Sequence, residues 1–250
     1  MLPSLFVSHG APTLVFDDIP ARSFLKGLEE RVGRPKAILA VSAHWETATP
    51  EVNAPAVNET IHDFYGFPEP LYALRYPAPG SAELASRVAE LTGAAIDGER
   101  GLDHGAWVPL MLAWPGADIP VAQLSIQTKA GPRHHLELGR LLAPLREEGV
   151  LVLASGGFTH NLRELARSGG GAAEPAWVTR FSDWVDAALV EGRVEDLLAY
   201  RRLAPDALRN HPTEEHFLPL FVALGAGGRA ERLHSSTTMG ALRMDAYAFQ

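Results

Sequence analysis

Cysteine is absent from the 250 residues. That removes disulfide scaffolds, thiolate zinc sites, iron–sulfur clusters and a cysteine nucleophile together. Any metal must rest on His, Asp and Glu, a donor set that suits iron, zinc or manganese. Lysine is scarce (Lys26, Lys36 and Lys129), and the basic residues are scattered singly in a chain of net charge −8. This argues against a nucleic-acid partner, which needs clustered cations to neutralise phosphates. No segment approaches the ~20 apolar residues that span a bilayer. The opening run Met1–Val7 lacks the basic region and apolar length of a signal peptide. The expectation is a soluble, cytoplasmic protein with no membrane or nucleic-acid partner.

Neither a repeat nor a low-complexity tract interrupts the chain. Gly169-Gly170-Gly171 reads as a flexible loop, but composition does not change across it, so residues 1–250 are expected to form one domain. A chain this long buries roughly 70–75% of its unfolded surface and needs no structural staple.

Short apolar runs alternate with longer amphipathic ones. Ser4–Ser8, Lys36–Ala43, Pro120–Ser125 and Val150–Ala154 read as strands, with Glu231–Ser236 and Ala241–Ala248 closing the chain. Helical spacing covers Ile19–Val32, 132–147, 175–191, 194–201 and 217–224. Ser81–Thr92 is a further helix, with Ser81 as its cap and Gly93 just past its end. This alternation predicts a single-domain α/β fold: a central, largely parallel or mixed sheet flanked by helices on both faces.

Ten histidines are present, and their placement matters more than their number. His9 follows the first strand, His44 ends the second, and His160 follows another in Ser155-Gly156-Gly157-Phe158-Thr159-His160. Ligands of open α/β sheets bind beyond the carboxyl ends of the strands. Three strands delivering imidazoles to that edge match what a metal site needs, although a lone His past a strand is more often a turn residue. The glycines at 10, 156 and 157 allow sharp turns or close backbone approach. In the segment 210–220, the last ligand is His216, or else Glu214 or Glu215; the bland alternative is a helix start capped by Thr213. His104 precedes a helix expected from Pro109 and is a candidate acid/base. His62 and Tyr65 lie in a loop whose aromatics, with Phe64, Phe67 and Tyr72, would wall a ring-sized pocket. His134, His135 and His234 are assigned to the surface or helix ends.

Seven motifs extend from residue 8 to residue 220: SHGAP at 8–12, SAHW at 42–45, HDFYGFP at 62–68, YPAPG at 76–80, LDHGAW at 102–107, SGGFTHNL at 155–162 and EHFLPL at 215–220. Together, and in this order, they resemble the class III extradiol ring-cleavage dioxygenases, in particular the DOPA-dioxygenase branch of the LigB-like superfamily. The resemblance implies that His9, His44 and His216 are metal ligands. His216 stands where the wider superfamily has a glutamate, a departure from the usual two-histidine, one-carboxylate triad. His160 is implied as a fourth, weaker ligand or as the acid/base, and His104 as a second catalytic histidine. One divalent ion is implied, iron(II) for activity, with zinc(II) able to occupy an all-histidine site. The implied partners are a catechol-type, DOPA-like substrate and dioxygen. The alternatives are a zinc hydrolase using the same site, or a non-catalytic binding protein of the same fold. The oligomeric state is left open, a homo-oligomer included.

Overall fold

Strand β2 (Ala37–Glu46) is apolar on both sides: Ile38 and Ala40 turn to one face and Leu39 and Val41 to the other, all fully buried. Such a strand has to be covered by helices on both faces, and the whole fold follows that demand. The computed structural model describes residues 1–168 and 173–250; the loop expected at 169–171 lies outside the described residues. The remaining sheet strands are β1 (Ser4–Ser8), β3 (Glu51–Asn53), β4 (Ala95–Asp97), β5 (Val121–Ile126), β6 (Val150–Gly156), β7 (Ala230–His234) and β10 (Ala246–Phe249), with the small pair β8 (Thr237–Thr238) and β9 (Leu242–Arg243) outside it. They form an 8-stranded sheet in the order β4-β3-β5-β2-β6-β1-β10-β7. Its centre, β5-β2-β6-β1, is parallel, while β10 and β7 add antiparallel at one edge. The α/β, mixed-sheet expectation holds.

One face is covered by α1 (Pro20–Lys26), α2 (Leu28–Val32), α3 (Glu69–Ala73) and α5 (His104–Ala113). The other carries α4 (Ala82–Thr92), α6 (Gly131–Leu142), α8 (Ala176–Val190) and α12 (Leu218–Ala226). Shorter helices α7 (Leu162–Ser168), α9 (Val194–Leu198), α10 (Tyr200–Leu203) and α11 (Ala207–Asn210) fill the connections. Among the described residues no helix is long and apolar enough to cross a membrane.

Several boundaries differ from expectation for identifiable reasons. The helix expected over 19–32 breaks at Gly27 into α1 and α2. The helix expected from Pro109 starts five residues earlier, at His104, because Asp103 caps it by accepting the Ala106 N–H at 3.2 Å. Ser81 and Gly93 cap α4 as expected. Thr213 caps nothing; its hydroxyl donates to Glu215 at 2.9 Å, and α12 begins only at Leu218. His135, expected at the surface, is fully buried. Its Nδ1 donates to the Gly131 carbonyl at 2.7 Å and its Nε2 accepts the Gln127 N–H at 3.2 Å.

Helices α6 and α12 meet backbone to backbone. A Cβ at Gly225 would lie 2.1 Å from the Leu136 carbonyl oxygen, and one at Gly139 would lie 2.2 Å from that of Val222. Since a carbonyl in a helix cannot move alone, Gly225→Ala should force the helices apart. The expected loss is about 1–3 kcal/mol, read as a lower urea midpoint at an unchanged slope.

Candidate metal centre

The parallel strands β1, β2 and β6 end at one edge of the sheet, and each sends an imidazole beyond it. His9 leaves β1 directly, with its backbone N–H bonded to the Gly156 carbonyl at 3.0 Å. His44 lies where β2 loses register with β5: Val41 pairs with Leu124, but the next pair is Glu46 with Ile126. The extra residues bulge outward and carry His44 off the sheet. His216 arrives from the segment before α12. Its carbonyl accepts the Gly157 N–H at 2.8 Å, and a Cβ at Gly156 would stand 2.1 Å from it. Only glycine at 156 allows that approach.

The three rings converge. His44 Nε2 is 3.1 Å from His9 Nε2 and 3.2 Å from His216 Nε2. His104, the first residue of α5, packs its ring 4.0 Å from that of His44. His160 stacks on His216, with centroids 3.4 Å apart and planes 9° from parallel. His9, His44 and His104 form one candidate ligand group, and His160, Glu215 and His216 another. The His44–His216 contact joins the two into a single cluster.

The partners behind the rings settle where their protons are. Pro109 has no N–H to return to the Gly105 carbonyl one helical turn earlier. The Ser155 hydroxyl donates to that carbonyl instead. With its proton used, Ser155 can only accept from His9 Nδ1 at 3.0 Å, so His9 carries its proton on Nδ1. His216 Nδ1 faces the Glu215 carboxylate at 3.0 Å, and His44 Nδ1 faces Asp63 at a longer 3.3 Å. A carboxylate only accepts, so His216 also places its proton on Nδ1, and the longer Asp63 contact favours the same tautomer for His44. Each Nε2 then turns a bare lone pair inward. Burial, reinforced by neighbouring imidazoles, holds His9 and His216 well below the ordinary histidine range. The same causes push His44 down to about 4; burial does the same for His160. His9, His44, His160 and His216 are thus held in their neutral form.

His44 Nε2 meets the Nε2 atoms of His9 and His216 at these spacings, and bare lone pairs brought that close repel one another unless a cation lies among them. Convergent neutral imidazole nitrogens are a donor type that divalent zinc and iron take. The donor set therefore fits one divalent metal.

Beside the cluster lies a cavity of 180 Å³ bordered by His9, His160, Phe67, Leu162, Leu242 and Met244 among others. Arg243 also lines it, but its guanidinium is tied to Asp245 at 2.7 Å and Glu174 at 3.2 Å. The ring of Phe64 meets His104 edge-on at 5.7 Å. The two residues singled out for substrate lie elsewhere: Tyr65 is 92% exposed, and His62 packs among Phe64, Tyr72 and Trp107. Glu214, a ligand candidate by sequence, accepts instead from the Tyr200 hydroxyl at 3.1 Å. Ser155 and Asp63 lie inside two of the motifs, but only the fold shows that they touch His9, and His44 and His104, respectively.

Known proteins are similar to this chain over most of its length. Residues 4–249 match the family described as the catalytic LigB subunit of aromatic ring-opening dioxygenase. A Beta vulgaris protein named 4,5-DOPA dioxygenase extradiol is 45% identical over 98% of this chain and 96% of its own. Its namesake from Escherichia coli (strain K12) is also 45% identical, over 90% of this chain and 85% of that one. The crystal structure of an uncharacterized Escherichia coli K12 protein is similar with a TM-score of 0.83 at 37% identity, covering 100% of both chains. These relatives favour neither the hydrolase nor the non-catalytic alternative. The match runs through every strand that carries a clustered histidine, and the chain belongs to the LigB family as a metal-dependent extradiol dioxygenase that opens aromatic rings.

Proposed function

We propose that His9, His44 and His216 hold one divalent ion, iron(II) in the working enzyme, and that the ring opened is a catechol of the DOPA type named in the relatives. The observation that carries this reading is the meeting of three Nε2 lone pairs at 3.1 and 3.2 Å. When bound, the ion supplies Lewis acidity toward the diol and a common centre for diol and dioxygen.

The remaining residues divide the other tasks. An imidazole lone pair lies in its ring plane, and the His160 and His216 planes are nearly parallel at 3.4 Å. The lone pairs of the two stacked rings therefore lie in separate parallel planes and do not point at each other. This geometry favours His160 as the acid/base over a fourth ligand. Burial keeps it neutral, which leaves one ring nitrogen free to accept a phenolic proton and return it later. His104 donates through Nδ1 to Asp63 at 2.9 Å, which leaves its other nitrogen as an acceptor for a second hydroxyl. Phe64 and Phe67, rather than His62 and Tyr65, are placed to pack against the aromatic ring; His62 backs Phe64, and Tyr65 points into solvent. The apolar cavity excludes water from the reacting atoms.

Dialysed His216→Ala should lose its stoichiometric metal by elemental analysis. His160→Ala should keep the metal, while oxygen uptake with a catechol falls about 10²–10⁴-fold. Loss of metal from His160→Ala would instead make it a ligand. Native protein loaded anaerobically with iron(II) that consumes no oxygen with any member of a catechol panel removes the reading. Ser155→Ala frees His9 to take either tautomer, so zinc affinity in a chelator competition should drop by about 10–100-fold with the fold retained.

A further inference from the structure

We infer that Asp63 is a positioning residue that aims two histidines at once, turning the lone pair of His44 toward the metal and that of His104 toward the substrate. The inference rests on the ligand reading above. One carboxylate serves both rings: Oδ1 accepts the Nδ1–H of His104 at 2.9 Å and its backbone N–H at 2.9 Å, while Oδ2 faces His44 Nδ1 at 3.3 Å. Because a carboxylate has no proton to give, His104 must present a proton on Nδ1, and the 3.3 Å contact favours the same tautomer for His44. In the neutral ring that tautomer leaves Nε2 bare.

The loop bearing Asp63 is built to keep it there. Thr60 pairs with Leu102 as an isolated parallel bridge. Leu102 N–H donates to the Glu59 carbonyl at 2.8 Å, and Ile61 N–H to the Leu102 carbonyl at 2.8 Å. The Trp107 indole N–H bonds the Ile61 carbonyl at 3.0 Å. The loop is thus fastened to the start of α5 just before Asp63, and Phe64 just after it packs on Trp107 and His104. The segment that walls the substrate pocket also orients a metal ligand and a catalytic histidine. A partner outside the ligand sphere typically changes metal affinity by 10–100-fold, which makes the role measurable.

The test uses zinc(II) alone as the probe, in protein labelled with ¹⁵N-histidine. Long-range ¹H–¹⁵N spectra of the zinc-loaded native protein should show His44 and His104 protonated at Nδ1. In Asp63→Asn the amide nitrogen must face one of the two rings, so that ring should change tautomer. Zinc affinity by chelator competition should fall about 10–100-fold, and Asp63→Glu, which keeps the carboxylate, should recover part of it. A residue that merely supports the loop would lower thermal stability without selecting a tautomer. Native spectra with either ring protonated at Nε2 overturn the inference, and this measurement decides even if Asp63→Asn fails to fold. Asp63→Asn with native tautomers and native affinity overturns it too. Zinc that leaves the signals of His9, His44 and His216 unmoved overturns the ligand reading itself, a separate result.

Discussion

Imidazoles that have committed their protons elsewhere repel one another when their bare nitrogens are brought together in a buried space. That constraint organises this protein. Nε2 atoms 3.1 and 3.2 Å apart, each on a ring whose other nitrogen faces an acceptor, form the site that we propose a cation completes. Burial keeps the rings neutral, so the fold prepares the lone pairs before any metal arrives. On our reading the fold thereby stores unfavourable electrostatics, which metal binding relieves.

The acceptors behind the rings come from unrelated parts of the chain. Pro109 breaks one hydrogen bond inside α5, the freed Gly105 carbonyl takes the Ser155 proton, and Ser155 is then able only to accept from His9. A helix irregularity on one face of the sheet thus sets the tautomer of a histidine at its edge. Glu215 reaches back to its own neighbour, His216, while Asp63 arrives on a loop pinned to α5. Each backing contact is local in space, yet apart from the Glu215–His216 pair the residues are distant in sequence.

Much of the architecture was legible beforehand because burial on both faces leaves a plain mark. Runs such as Ile38–Val41 and Leu151–Ala154 are apolar at every position, which only a central strand covered twice tolerates. Strands of three residues, such as β3 and β4, leave too short a pattern to read. The start of α5 was misplaced because Pro109 resembles a first-turn proline, whereas the cap was Asp103. His135 looked like a surface residue of an amphipathic helix, since a buried imidazole with both nitrogens satisfied carries no sequence signal.

The sequence by itself determined the class of fold, the restriction of any metal to nitrogen and oxygen donors, and the histidines gathered at the strand ends, because composition and periodicity record burial and chemistry directly. Only the tertiary structure decided which imidazoles lie together, which acceptors stand behind them, and that Phe64 meets His104 while Tyr65 is exposed. Those outcomes depend on distances of a few ångströms between segments far apart in the chain. Residue order carries no record of such distances until the strands have paired.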